Sequence, residues 1–322
     1  MDDKIYPLQF NPILKERIWG GKKLKTVLDK PITSAITGES WELSTVEGDI
    51  SCVANGILKG KRLSDVIQQM PEQLLGTMVY ARFGTQFPLL FKYLDAHQDL
   101  SIQVHPNDAL AQKRHNSFGK TEMWYVMQAD PGAKIIVGFK EEANSSQYIR
   151  HLKDNSLLSI LDVIEVQKGD AFFLDSGTIH AIGSGLLIAE IQQTSDITYR
   201  LYDYDRVDAQ GNKRELHVDL ALEAINYHKV DSRKVYLKEE NQPNSIVNCP
   251  YFSTNLIPLS SSMIVSKTAA SFTVYMCLEG AFLLEYNLNS YSYKKGDTVL
   301  IPAAMDYYTM TGKASILEIY IS

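Results

Sequence analysis

Cysteine is scarce in this chain: three among 322 residues, at Cys52, Cys249 and Cys277. An odd, scattered set with no Cys-x-x-Cys pair supports neither a disulfide framework nor a thiolate metal site, so any metal is left to nitrogen and oxygen ligands. The three are read as small core residues in a reducing compartment. No apolar run approaches the length of a membrane span. Positive charge is not in excess either: 32 Lys and Arg face 38 Asp and Glu, a formal net charge of −6. Neither nucleic acid nor an anionic membrane is therefore expected as the main partner. The start, Met1-Asp2-Asp3-Lys4-Ile5-Tyr6-Pro7, lacks the basic and apolar regions of a leader, and a cytoplasmic protein is expected. Histidine is limited to seven residues, with none after His228.

What is present is mostly short alternating runs joined by Gly, Pro, Asn and Asp, the pattern of an antiparallel sandwich or barrel. In Leu100-Ser101-Ile102-Gln103-Val104-His105-Pro106, Gln103 and His105 stand two apart, so a strand turns both side chains to one face. Leu100, Ile102 and Val104 hold that strand against a core. Glu122 opens the next apolar run, and His180 follows a strand and a tight turn in Asp175-Ser176-Gly177-Thr178-Ile179-His180-Ala181. An amide oxygen, two imidazoles and a carboxylate suit a borderline divalent cation, with one Zn2+ per chain the expected ion.

Other stretches set expectations for the fold. Gly38 to Ser44 alternates as a strand, with Trp41 and Leu43 on one face and Glu42 and Ser44 turned to solvent or to a pocket wall. A short helix is expected from Ser64, with Ser64 as its cap, and continues as a second turn to Leu75. Phe87 to Ala96 reads as a buried strand whose one lysine is Lys92. Asn107 to His115 is a capped helical turn, and Asn144 to Leu161 and His217 to Ile225 are helical in pattern. Val163 to Val166 and Lys168 to Leu174 read as a hairpin with a Lys-Gly-Asp corner, and Ser195 to Asp203 as one strand. Asp208 to Asn212 is a turn. Composition shifts between Lys229 and Pro243, which divides the chain into 1–235 and 236–322. A faint repeat, Lys168-Gly169-Asp170 against Lys295-Gly296-Asp297, carries His180 onto Tyr307, so the second unit is expected to be a degenerate copy without a metal site.

Five stretches together resemble the type I mannose-6-phosphate isomerases in their short bacterial form: Arg17-Ile18-Trp19-Gly20-Gly21, Gly38-Glu39-Ser40-Trp41, Leu100 to Pro106, Gly119-Lys120-Thr121-Glu122, and Gly177 to His180 continuing through Arg200 to Arg206. The resemblance implies a mainly β bicupin, two β-barrel or jelly-roll domains with a few short helices, the catalytic one being 1–235. It implies zinc on Gln103, His105, Glu122 and His180, a catalytic Arg200, and a site lined by Lys120, Glu190 and Asp196. Ser101 and Lys92 are expected to contact the phosphate or sugar hydroxyls of a phosphorylated hexose. Two departures stand out: Gly119 where the longer enzymes have histidine, and Ile182 where they have an aromatic residue.

The implied reaction moves hydrogen between C1 and C2 of an aldose and a ketose through a cis-enediol(ate), whose negative charge a metal and a cation such as Arg200 stabilise. Glu190 or a metal-bound water is the expected base. Two other readings remain beside this one, a cupin oxygenase or other metalloenzyme, and a non-catalytic sugar-binding bicupin. Gln103 and Arg200 disfavour the first, and a full set of four ligands disfavours the second. The chain is expected to act as a monomer or homodimer.

Overall fold

Every residue of Leu89–Ala96 and of Leu186–Gln193 is buried, so the sheet they share is covered on both faces. In the computed structural model, which describes residues 5–207 and 210–322, these two strands lie in a seven-stranded sheet. Its order is Arg233–Lys234, Ala171–Leu174, Glu122–Ala129, Leu186–Gln193, Leu89–Ala96, Thr37–Leu43 and Ile13–Gly21. A five-stranded sheet, Leu161–Glu165, Lys134–Phe139, His180–Ile182, Ile102–Val104 and Tyr199–Tyr202, faces it. Between them Leu94, Trp124, Ile188, Val137 and Ile182 form one apolar cluster. The outer face of the smaller sheet is covered by helical segments through Tyr148, Leu157, Ala221 and Ile225.

The remainder forms an eight-stranded antiparallel sheet with its own inner cluster, including Tyr275, Phe282, Tyr308 and Ile316. The other side of this second sheet, through Val274, Met276, Leu317 and Ile319, packs on Phe91, Tyr93, Met123 and Ile191 of the seven-stranded sheet. The chain passes from one sheet system to the other between Arg233–Lys234 and Asn244–Asn248. One early strand crosses back: Leu8–Gln9 pairs with Thr298–Ile301. The molecule is thus mainly β with a few short helices, as its turn-punctuated alternation implies. No helix among the described residues is long and apolar enough to cross a membrane.

Several local expectations are corrected. The Lys-Gly-Asp corner does not close a hairpin, because Leu161–Glu165 pairs within the five-stranded sheet and Ala171–Leu174 within the seven-stranded one. The corner instead carries the chain from one layer to the other, a step that local alternation does not distinguish from a hairpin. Its copy is built the same way: Gly169 and Gly296 have φ of 92° and 89°, and Asp170 and Asp297 accept the amides of Gln167 and Lys294 at 2.9 and 2.8 Å. Residues 195–198 are loop, and the strand is only Tyr199–Tyr202. Ser64 caps nothing, since the helix Leu63–Gln69 begins before it and a second one, Pro71–Leu75, follows. The helix expected to Leu161 ends with Ser145–Lys153, and that near 217–225 is reduced to Val218–Ala221. Asn107 does cap Asp108–His115, accepting from the Leu110 amide at 2.9 Å. Met1 to Lys4 and, in the turn at 208–212, Asp208 and Ala209 lie outside the described residues.

The helices between Leu63 and Phe83 are bound to the second barrel through backbone pairs such as Met78 N–H to Ala270 O at 3.1 Å and Phe272 N–H to Leu75 O at 2.9 Å. Gly76 makes this approach possible: it has φ of 95°, and a Cβ there would stand 2.3 Å from the Ala270 carbonyl oxygen. Gly76→Ala is expected to destabilise the chain by at least about 2 kcal/mol, from positive-φ strain and the clash together. Equilibrium denaturant unfolding measures it; an unchanged midpoint would show that this junction does not hold the barrels together.

Candidate active site

Cross-strand register assembles the site. On the five-stranded sheet His180 and Arg200 both lie opposite Gln103, so the three side chains form one row on one face. His105, two residues beyond Gln103, points the same way. From the facing sheet Glu122 reaches the row, and one ligand atom from each of His105, Glu122 and His180 falls within 4.8 Å of the others. Each imidazole is fixed from behind, Nδ1–H of His105 donating to the Ile197 carbonyl at 2.8 Å and Nδ1–H of His180 to the Thr178 carbonyl at 2.9 Å. Both Nε2 lone pairs therefore face inward. Burial first, and then Lys120 and the neighbouring imidazole, hold His105 well below the usual histidine range. Burial also lowers His180, against the opposing pull of Glu122. Neutral imidazole is the form a metal needs.

The donor set fits a divalent cation on the geometry alone. Both Glu122 carboxylate oxygens are buried and accept no directed hydrogen bond. Their neighbours are His180 Nε2 at 3.3 Å, His105 Nε2 at 3.6 Å and the Lys120 ammonium at 2.9 Å, the last an ion pair off the hydrogen-bonding direction. Lys120 Nζ also lies 3.1 Å from His105 Nε2, so a positive charge already stands between two of the lone-pair donors. The Gln103 amide nitrogen is 3.2 Å from His180 Nε2, and a half-turn of the amide presents its oxygen at the same place.

Above this floor opens a cavity of about 570 Å³. The seven-stranded sheet supplies a second row, Trp41, Lys92, Glu190 and Trp124, paired in that order. Lys92 Nζ donates to Glu190 at 3.1 Å and to Gln192 at 2.7 Å, and lies 5.0 Å from the centre of the Trp41 ring. Trp124 Nε1–H donates to the other Glu190 oxygen at 2.9 Å. Burial disfavours the Glu190 charge, but Lys92 and Lys120 outweigh it and bring its pKa down to about 2. Lys120, which burial would lower, is held above the usual lysine range by Glu122 and Glu190. Arg200 donates to Ser101 Oγ at 3.3 Å and to the Glu215 carbonyl at 2.9 Å, and forms no ion pair among the described residues. Burial, with Arg214 nearby, lowers its pKa.

Residues 8–131 match the model of the phosphomannose isomerase type I catalytic domain, and 243–321 that of the mannose-6-phosphate isomerase cupin domain. The curated mannose-6-phosphate isomerase ManA of Bacillus subtilis is 38% identical over 97% of this chain and 98% of its own. The crystal structure of mannose 6-phosphate isomerase from Bacillus subtilis superposes with a TM-score of 0.90 at 34% identity, covering 98% of this chain and 99% of that one. The chain belongs to the type I phosphomannose isomerase family. It is an enzyme of that family; the first matched stretch takes in only part of the strands of the seven- and five-stranded sheets, and the second takes in most of those of the eight-stranded sheet. The longer relative from Escherichia coli matches over only 102 residues, 31% of this chain and 24% of its own, at 40% identity.

Within this candidate site, Lys92, Ser101, Lys120, Glu190, Asp196 and Arg200 all border the one cavity, and His105, Glu122 and His180 lie beneath it under Gln103 and Lys120. Asp196 sits exposed at the rim. Glu42 neither lines the cavity nor meets solvent: it is buried, accepting from Lys30 and Ser40 at 2.6 Å each. Sequence reasoning missed Arg17, Glu39 and Arg214, and gave Trp41 no role beyond a strand face shared with Leu43. Glu39 and Trp41 share a strand parity, which was the available signal; Glu39 accepts from Arg17 at 2.7 Å and from Trp41 Nε1 at 2.6 Å. Arg214 arrives on an irregular segment, tied to Asp203 at 2.7 Å, and no local pattern announces it. His180→Ala and Glu122→Gln are each expected to weaken divalent-metal binding by at least about 100-fold, more than loss of an outer partner does. Titration calorimetry of the metal-free protein measures this; unchanged affinity in both variants would show that the cluster is not the metal site.

Proposed function

We propose that this isomerase is zinc-dependent and interconverts mannose 6-phosphate and fructose 6-phosphate by proton transfer through a cis-enediol(ate). The observation that carries the reading is the group His105, Glu122 and His180, with Gln103 beside it, packed just beneath a cavity that holds an arginine with no ion pair among the described residues. When bound, zinc supplies Lewis-acid polarisation of the substrate's carbonyl and hydroxyl oxygens. Arg200 stabilises the negative charge that develops on the C1 and C2 oxygens, and its guanidinium is aimed by Ser101 and the Glu215 carbonyl. Lys120 adds a second fixed positive charge beside His105 and Glu122.

The two acids divide by environment. Glu190, bound on both oxygens and held near 2, stays ionised and acts as the counter-charge that keeps Lys92 in the wall. A carboxylate so stabilised is a weak proton acceptor at neutral pH. Of the two acids expected in the site from the sequence, Asp196 is the one without an ion pair among the described residues, and it is assigned the role of proton acceptor. The cation-rich cavity suits a phosphorylated hexose. Free thiols at Cys52, Cys249 and Cys277 accord with a cytoplasmic enzyme.

The test is coupled detection of fructose 6-phosphate formed from mannose 6-phosphate, before and after chelation and after zinc restoration. Turnover should vanish with chelator and return with zinc. Arg200→Ala should keep its zinc and lose about 10²- to 10³-fold in kcat, the loss typical of removing one donor to a developing anion. Absence of turnover from folded, zinc-loaded protein would overturn the substrate assignment, and full activity in chelated protein would overturn the role of the metal.

A further inference from the structure

The segment that carries Lys120 and Glu122 is held from a carboxylate outside the cavity. Asp108 opens the helix Asp108–His115. Its Oδ1 accepts the Gly119 amide at 2.8 Å and the Gln193 side-chain amide at 3.0 Å, and its Oδ2 accepts the Tyr251 hydroxyl at 2.8 Å. Gln193 is thereby turned so that Oε1 faces the Thr121 N–H, which donates to it at 2.9 Å, while the Gln193 backbone N–H donates to the Thr121 carbonyl at 3.1 Å. Thr121 is the residue between Lys120 and Glu122. Gly119 lies flush on the start of the helix: a Cβ there would stand 2.6 Å from the Asp108 amide nitrogen. Tyr251 comes from the connection between Asn244–Asn248 and Ser253–Leu259 in the second barrel. Burial and the Asp108 carboxylate push its phenol up to about 12, so it remains a donor at neutral pH.

We propose that Asp108 is a positioning residue for the isomerase reaction, setting Gln193 and through it the Lys120–Glu122 segment, with Tyr251 bringing the second barrel into the same support. This rests on the functional reading above. Asp108 touches neither the cavity nor the metal cluster; it acts by fixing where the Lys120 ammonium and the Glu122 carboxylate stand. A shift of about 1 Å in such groups can lower a rate by 10²-fold without changing which groups are present.

The test uses the full-length zinc-loaded chain with Asp108→Ala, Asp108→Asn and Tyr251→Phe, read by steady-state kinetics on mannose 6-phosphate and by amide hydrogen exchange of residues 117–124. Asp108→Ala is expected to lower kcat by about 10- to 100-fold, with KM changed far less and exchange faster in 117–124 than elsewhere. Asp108→Asn keeps an oxygen for Gly119 and Gln193 and should restore most of kcat and of the protection. Tyr251→Phe, which removes one hydroxyl, should lower kcat several-fold and loosen the same segment. Unaltered kcat and exchange in folded Asp108→Ala would overturn the proposal. So would equal losses in the Ala and Asn variants with exchange raised throughout the molecule, the mark of a merely structural role. If Asp108→Ala does not fold, Tyr251→Phe decides: local loosening with reduced kcat supports the proposal, and unchanged values overturn it. Lack of turnover in the unaltered chain would instead overturn the functional reading, while exchange still reports whether Asp108 holds the segment.

Discussion

A buried carboxylate that accepts no hydrogen bond is unstable unless positive charge stands against it, and Glu122 is in that position. The interior must supply a cation, and its surroundings are arranged to do so. Lys120 provides one positive charge, and two imidazoles pinned through Nδ1 turn their lone pairs toward the same point. Removing the carboxylate would leave Lys120 buried without its partner, and removing Lys120 would leave the carboxylate with uncharged imidazoles. The two facing sheets meet at this point, so the electrostatics of the cluster and the separation of the layers are one constraint.

The cavity above it is organised by pairing. Lys15 is met by Asp49, Arg17 by Glu39, Lys92 by Glu190 and Arg214 by Asp203. Each pair fixes a long side chain in the wall and cancels most of its field. Among the described residues Arg200 is the cavity cation without such a partner, its guanidinium oriented by a hydroxyl and a carbonyl. An anionic group entering the cavity therefore meets one half-buried charge with no ion pair among the described residues, and a cation so placed and partly withdrawn from water interacts more strongly than one in bulk solvent.

The second barrel repeats the corner of the first without repeating its site. His180 and Tyr307 each begin the second strand after the corner, but His180 turns inward, whereas Tyr307 is exposed and Tyr308 fills the lumen instead. The second barrel covers the outer face of the sheet bearing Lys92, Glu122 and Glu190, and Glu279 joins the two corners by taking Lys168 at 2.7 Å and Lys295 at 3.3 Å. The backs of the strands that carry these three residues are thus buried by residues far away in sequence.

The sequence by itself determined which side chains share a strand face. Gln103 and His105, Glu39 and Trp41, Lys92 and Leu94 are related by a period of two that any strand imposes, so these pairs are legible without a fold. It also determined the turns, since Gly169 and Gly296 take a positive φ that other residues resist. Only the tertiary structure decided which face looked at which. That Glu122 meets two histidines from the opposite sheet, that Glu190 is held ionised by Lys92, that the Lys-Gly-Asp corner changes layers and that Arg214 reaches the cavity all depend on contacts between segments distant in the chain. Strand parity is a local property of the backbone, whereas the partner a face finds depends on how the layers pack, and no short stretch of sequence encodes that.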